Sequence, residues 1–202
     1  QSIVLGTGQF CTNPGIIIFC DSKDKSDIVK QVNQKLKQME LPPMVHLNIE
    51  SNYLKKIEDL NNIKGLKIYK QSENIATLGL ISASVLLENK ELLDEVFGPF
   101  SLFVKCNSVE QMNELAKIMP GQLTGTLLSD KNDHVGLKKI VNQIKNKVGR
   151  LLFEGVPTGV AVTKAMHHGG PYPASTDGRF TSVGTDSIYR WLRPIVFQDC
   201  PN

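Results

Sequence analysis

Gly8-Gln9-Phe10-Cys11-Thr12-Asn13-Pro14-Gly15 leads straight into Ile16-Ile17-Ile18-Phe19-Cys20. A polar stretch punctuated by Gly and Pro reads as a turn, and the unbroken apolar run after it reads as a buried strand from Gly15 to Cys20. A cysteine in such a turn is both exposed and close to backbone N–H groups, the setting in which a thiolate is reactive. Cys11 is therefore a candidate nucleophile. The competing reading of any intracellular cysteine is a small buried hydrophobe.

Outward from this strand, apolar runs alternate with segments of helical period, which predicts an α/β sheet, parallel or mixed. A helix is expected from Ser26 to Met39, capped by Ser26 or Asp27, with Ile28, Val29, Val32, Leu36 and Met39 on one face and Leu41-Pro42-Pro43 ending it. A second helix is expected from Glu50 to Leu60, then strands at Leu66 to Tyr69, Thr77 to Leu87 and Ser101 to Cys106. Next come a helix from Val109 to Met119 stopped by Pro120-Gly121, a strand from Leu123 to Ser129, a helix from Asp133 to Val148 and a strand from Arg150 to Phe153. This order resembles the β-α units of a doubly wound sheet. Ile195 to Phe197 is a candidate final edge strand, or a pairing partner for another subunit.

The 202 residues are enough for one good core. Twenty-three Lys and Arg against 20 Asp and Glu leave +3, and the lysines of Lys23 to Lys37 and Lys138 to Lys147 read as solvated helix faces, so no nucleic-acid partner is implied. Cys11, Cys20, Cys106 and Cys200 form no CxxC pair and no cluster with His, so no metal site or redox dithiol is expected, and free thiols fit a reducing, cytoplasmic setting. No apolar stretch is long enough to span a membrane and no signal peptide is visible, so no membrane partner is expected. The chain opens on Gln1-Ser2 without Met, and its best motif lies within fifteen residues of that start. It is expected to be a piece of something longer, with a site close to a terminus and prone to poor order.

Gly155 to Gly184 is dense in Gly, Pro, Ser and Thr and carries His167, His168, Tyr172, Arg179 and Phe180. A loop of that length in a compact domain points to function. Either His167 or His168 is a formal base for Cys11, which leaves a Cys-dependent hydrolase open. In Glu95-Val96-Phe97-Gly98-Pro99-Phe100 a carboxylate precedes a tight turn at the entry to a strand, a place where α/β sheets take ligands, and a carboxylate accepts both hydroxyls of a ribose. Glu95 equally suits a surface helix end. No GxGxxG after a strand and no GxxxxGK[ST] occurs.

Gly8-Gln9-Phe10-Cys11-Thr12 followed by Glu95-Val96-Phe97-Gly98-Pro99 resembles the aldehyde dehydrogenase superfamily. Pro157-Thr158-Gly159-Val160, the run from His168-Gly169-Gly170-Pro171-Tyr172 to Phe180-Thr181-Ser182-Val183-Gly184, and Arg190-Trp191-Leu192-Arg193-Pro194 narrow the likeness to the branch that oxidises 2-oxoglutarate semialdehyde. The resemblance covers residues 1–202 and implies a three-layer, doubly wound, Rossmann-like catalytic domain. By that resemblance Cys11 attacks an aldehyde to form a thiohemiacetal, with the Cys11 N–H as one oxyanion donor. Glu95 holds the ribose of NAD or NADP and Phe97 packs near its nicotinamide. Phe180 and Ser182 line the aldehyde tunnel. Arg179 meets the substrate carboxylate, its alternative being to fix the loop by hydrogen bonds to backbone carbonyls. The family's general-base glutamate, oxyanion asparagine and coenzyme-phosphate lysine would lie before Gln1, so most coenzyme contacts are expected from outside this chain. Homo-oligomers are expected, since family members associate through C-terminal segments. A non-catalytic assembly module is the remaining alternative.

Overall fold

The computed structural model describes residues 1–20, 28–72, 74–129, 134–157, 159 and 161–201. The proposed caps Ser26 and Asp27, the helix start at Asp133, and Thr158 and Val160 lie outside the described residues. The elements run β1 (Ile16–Cys20), α1 (Ile28–Lys37), α2 (Leu47–Leu60), β2 (Lys67–Lys70), β3 (Thr77–Ser82), α3 (Ala83–Glu88), β4 (Phe100–Cys106), α4 (Val109–Ile118), β5 (Gln122–Leu127), α5 (His134–Ile144) and β6 (Val148–Phe153).

Four strands form one sheet in the order β1-β4-β3-β2, and β5 pairs with β6 in a second. Strands β1, β4 and β3 are parallel, while β2 joins β3 antiparallel. The register explains why both faces of these strands are apolar. Ile16 and Leu102 are aligned, as are Ile18 with Val104 and Val104 with Ile81. They line one face, covered by Tyr53 and Ile57 of α2, Leu86 of α3 and Leu115 of α4. The alternate residues Ile17, Phe19, Leu78, Leu80 and Phe103 line the other, covered by Val29, Val32 and Leu36 of α1. Because side chains alternate along a strand, each run feeds two cores, and the result is the expected three-layer α/β architecture.

Ile3 and Val4 are buried in the α1-side core, on a 3-10 segment from Ser2 to Gly8. That burial ties the start of the chain to the sheet.

Several elements differ from the sequence reading. The strand expected from Thr77 to Leu87 stops at Ser82, whose hydroxyl accepts the Val85 N–H and starts α3. Helix α2 begins at Leu47, because the His46 ring accepts the Asn48 N–H one turn before Glu50. Strand β6 begins at Val148, so that α5 ends at Ile144. Ile195 to Phe197 forms no strand here and is exposed. Among the described residues no helix is long and apolar enough to cross a membrane.

Phe103, 1% exposed, meets Phe19 edge to face with ring centroids 6.4 Å apart. Phe103→Ala removes a ring from the α1-side core and is expected to cost about 3–5 kcal/mol, read from urea unfolding.

Candidate active site

Thr7, Gln9 and Asn13, around Cys11, each have a structural task. Thr7 is fully buried and donates its hydroxyl to Pro42 O at 2.8 Å. The Gln9 side chain donates to Gly6 O at 2.8 Å and accepts the Val45 N–H at 3.0 Å. Asn13 Nδ2 donates to Gly98 O at 3.0 Å, and Ser101 Oγ donates to Pro14 O. The Asn13 N–H closes the turn on Phe10 O at 3.0 Å, which leaves Cys11 at the turn's crest, exposed. The turn's own hydrogen bond does not use the Cys11 N–H, consistent with its expected part in holding an oxyanion.

The contrast with Cys106 is chemical as well as spatial. That thiol is buried in β4, and burial, with Cys20 beside it, pushes it up to about 12. It is inert at neutral pH.

Gly98 is the meeting point of the two motifs. A Cβ on Gly8 would lie 2.2 Å from both Gly98 C and Gly98 O, so the backbones of the two turns are in direct contact. The partner turn is held from beneath by α2, through Tyr53 Oη donating to Ile75 O and Pro99 O and Lys56 Nζ donating to Glu95 O. Glu95 and Phe97 have exposed side chains on this turn, Phe97 being 39% exposed. An exposed carboxylate and an exposed ring beside the nucleophile's turn suit one edge of a hydroxyl-bearing, planar cofactor.

The long loop supplies the other wall. A Cβ on Gly149 would lie 1.8 Å from Gly169 O, so the stretch around Gly169 rests directly on the backbone of β6. His168 is thereby carried to Cys11, with Nε2 3.5 Å from Sγ. Its backbone is held on both sides, the N–H donating to Thr181 Oγ1 at 3.0 Å and the carbonyl accepting from Ser182 N and Ser182 Oγ, each at 2.9 Å. Partial burial, then the Arg150 cation and His167, lower the proton affinity of His168. Arg150, on β6, donates to Pro157 O at 2.8 Å and Gly159 O at 3.3 Å and so fixes the start of the same loop.

Among the expected substrate residues, Ser182 binds the His168 carbonyl and Phe180 is half-buried under the Arg179 guanidinium, 5.5 Å from its ring centroid. The Arg179 fork is spent within the loop, on a carboxylate rather than on backbone carbonyls: Nε donates to Asp177 Oδ1 at 2.9 Å and Nη2 to Oδ2 at 2.6 Å. Those bonds hold the Asp177 carboxyl down to about 2. An open cleft of about 350 Å³ is lined by Lys164, His167, Arg179, Phe180, Thr181 and Tyr189, and Cys11, Glu95 and Phe97 are not among its walls. The choice of His168 over His167 as the neighbour of Cys11 is what sequence reasoning missed. Its one signal was the following Gly169-Gly170.

An exposed-cysteine turn packed on a carboxylate-bearing turn at the margin of a three-layer α/β sheet directs comparison to dehydrogenases. The fold matches a salicylaldehyde dehydrogenase from Pseudomonas putida G7 at a TM-score of 0.68 and 17% identity, over 94% of this chain and 40% of that one. It matches proline utilization A from Bdellovibrio bacteriovorus at a TM-score of 0.75 and 19% identity, over 96% of this chain and 21% of that one. No family model matches the sequence. In fold and in sequence the chain is similar to the aldehyde dehydrogenase superfamily. Within it the likeness is to semialdehyde dehydrogenases. The chain is 35% identical over 209 residues to alpha-ketoglutaric semialdehyde dehydrogenase 2 of Azospirillum brasilense, covering 100% of itself and 40% of that protein. It is 37% identical over 206 residues to alpha-ketoglutaric semialdehyde dehydrogenase of Acinetobacter baylyi, covering 98% of itself and 39% of that protein. The chain thus spans about two fifths of the length of the curated relatives it matches.

Gly8→Ala puts a methyl into the Gly98 backbone at a residue whose φ is +70°. The two turns must part, and the variant is expected to lose about 2 kcal/mol or more in urea unfolding, with overpacking and left-handed strain adding.

Proposed function

We propose that residues 1–202 are the nucleophile-bearing catalytic domain of an NAD(P)-dependent aldehyde dehydrogenase whose substrate is 2-oxoglutarate semialdehyde or a close analogue. The observation that carries this reading is the direct backbone contact between the Cys11 turn and the Glu95–Pro99 turn at Gly8 and Gly98. That contact puts a nucleophile beside an exposed carboxylate and ring.

Cys11 supplies the sulfur that bonds to the aldehyde carbon, and the carbonyl π pair moves onto oxygen, where the Cys11 N–H is placed to stabilise it. The nicotinamide coenzyme, when bound, accepts the hydride of the former aldehyde carbon. The acyl group then held on Cys11 as a thioester is a good acyl donor to water. Glu95 would accept the hydroxyl hydrogens of the coenzyme ribose, and Phe97 would lie against the nicotinamide. Phe180 and Ser182 belong to the aldehyde's wall, Phe180 by packing and Ser182 through its hold on His168. Arg179 reaches a substrate carboxylate only by sharing or leaving Asp177. The exposed apolar run from Ile195 to Phe197 supports association between copies of the chain.

The 3.5 Å approach of Cys11 to His168 also favours a second reading, a coenzyme-independent thiol hydrolase. Coenzyme dependence separates the two.

The complete protein is expected to reduce NAD+ or NADP+ with 2-oxoglutarate semialdehyde, and Cys11→Ala to abolish the rate. Persistence of the rate in that variant overturns the proposal. Glu95→Gln is expected to raise the coenzyme KM by about 10- to 100-fold with a smaller change in kcat, as for loss of charge-assisted hydrogen bonds worth about 1.5–3 kcal/mol.

A further inference from the structure

The contact between Cys11 and His168 joins residues 157 positions apart in the chain, and the fold invests in it. Three hydrogen bonds from Thr181 and Ser182 fix the backbone of His168, and the glycine beside it is pressed onto β6. A residue whose main chain is held on both sides presents its ring from a fixed point, so less freedom is lost when that ring engages a neighbour. Both partners remain accessible, Cys11 exposed and His168 partly so, as a nucleophile and its base must be.

We propose that His168 is the base for Cys11, taking the thiol proton on Nε2 as the sulfur bonds to its electrophile. This rests on the reading of Cys11 as the nucleophile. The step balances without any further reagent: the S–H bond breaks, its proton moves to Nε2, and the sulfur electron pair forms the S–C bond. With an aldehyde the displaced π pair becomes an alkoxide, and the imidazolium later returns its proton to water, since aldehyde oxidation releases protons overall. For Nε2 to accept, the neutral ring carries its proton on Nδ1.

The charged and titratable groups that act on His168 are Arg150 from β6, His167 on the same segment and Cys11 from the turn before β1. Partial burial and the two basic groups act in one direction and keep the ring neutral at pH values where a free imidazole is protonated. His168 therefore stays an acceptor down to a pH below its ordinary value of about 6.5. A thiol without such a partner is only a few per cent ionised at neutral pH.

The test is alkylation of Cys11 by iodoacetamide in the complete protein, followed by peptide-resolved mass spectrometry across neutral and alkaline pH, with His168→Gln, His168→Phe and His167→Gln. In the native protein the Cys11 rate is expected to hold through neutrality and fall only below about pH 6.5, where His168 gains its proton. Both His168 variants are expected to react at least about tenfold more slowly at neutral pH and to regain rate only as the pH is raised into the alkaline range. His167→Gln is expected to keep the native rate at neutral pH, with at most a small rise in the pH at which it falls. An unchanged profile in the His168 variants overturns the proposal. Should those variants fail to fold, the His168 C2–H resonance is titrated in the native protein and in Cys11→Ala. A midpoint that moves when the sulfur is removed supports the pairing, and an identical midpoint overturns it. Alkylation needs neither coenzyme nor aldehyde, so a profile unchanged in the His168 variants removes His168 alone, whereas aldehyde oxidation surviving in Cys11→Ala removes the function proposed for Cys11.

Discussion

The site depends on one steric constraint, the backbone-to-backbone contact of Gly8 with Gly98. No side chain fits between the two turns, so Cys11 is placed relative to Glu95 and Phe97 by main-chain atoms, which have little freedom to drift. The Asn13 amide on Gly98 O and the Ser101 hydroxyl on Pro14 O then lock both turns to the start of β4. Because β4 is an interior strand of the sheet, flanked by β1 and β3, the rigidity of the core is passed directly to the Cys11 turn. Burial of Ile3 and Val4 completes the anchoring on the side facing the chain's start.

A second, longer-range approach brings chemistry to that frame. The segment around Gly169 lies on β6 with no room for a side chain at Gly149, and this close fit carries His168 across to the crest of the Cys11 turn. The loop that does this is held by polar bonds rather than by a core of its own. Arg150 fixes its beginning, Thr181 and Ser182 fix its return, and the Asp177–Arg179 pair braces its far bend. These bonds are largely solvent-exposed and individually modest, so the loop's order rests on their number and on the glycine contacts.

The layered core was legible in the sequence because Ile16–Cys20 and Phe100–Cys106 are apolar at nearly every position, which only a sheet covered on both faces can bury. What misled was composition without period. The run from Thr77 to Leu87 is largely apolar, and the switch from strand to helix at Ser82 is made by one hydroxyl on the Val85 N–H, a capping event that an apolar count does not reveal. The division of the strands into two sheets and the antiparallel setting of β2 were likewise invisible, since pairing partners are chosen by long-range packing. Ile195 to Phe197 has the composition of a strand but no partner among the described residues, and a lone strand leaves its ladder unsatisfied.

By itself the sequence determined the class of architecture and marked Cys11 as the candidate nucleophile, because both depend on local chemistry: apolar runs that only a covered sheet can bury, and a thiol set in a turn of Gly, Asn and Pro. It also marked Glu95 and Phe97 as neighbours on one turn. Only the tertiary structure decided that this turn packs on the turn of Cys11, that His168 rather than His167 faces the sulfur, and that Arg179 is engaged by Asp177. These are contacts between residues far apart in the chain or between alternatives of equal composition. They are chosen by which backbones can approach, a property of the packed molecule that no short stretch of sequence carries.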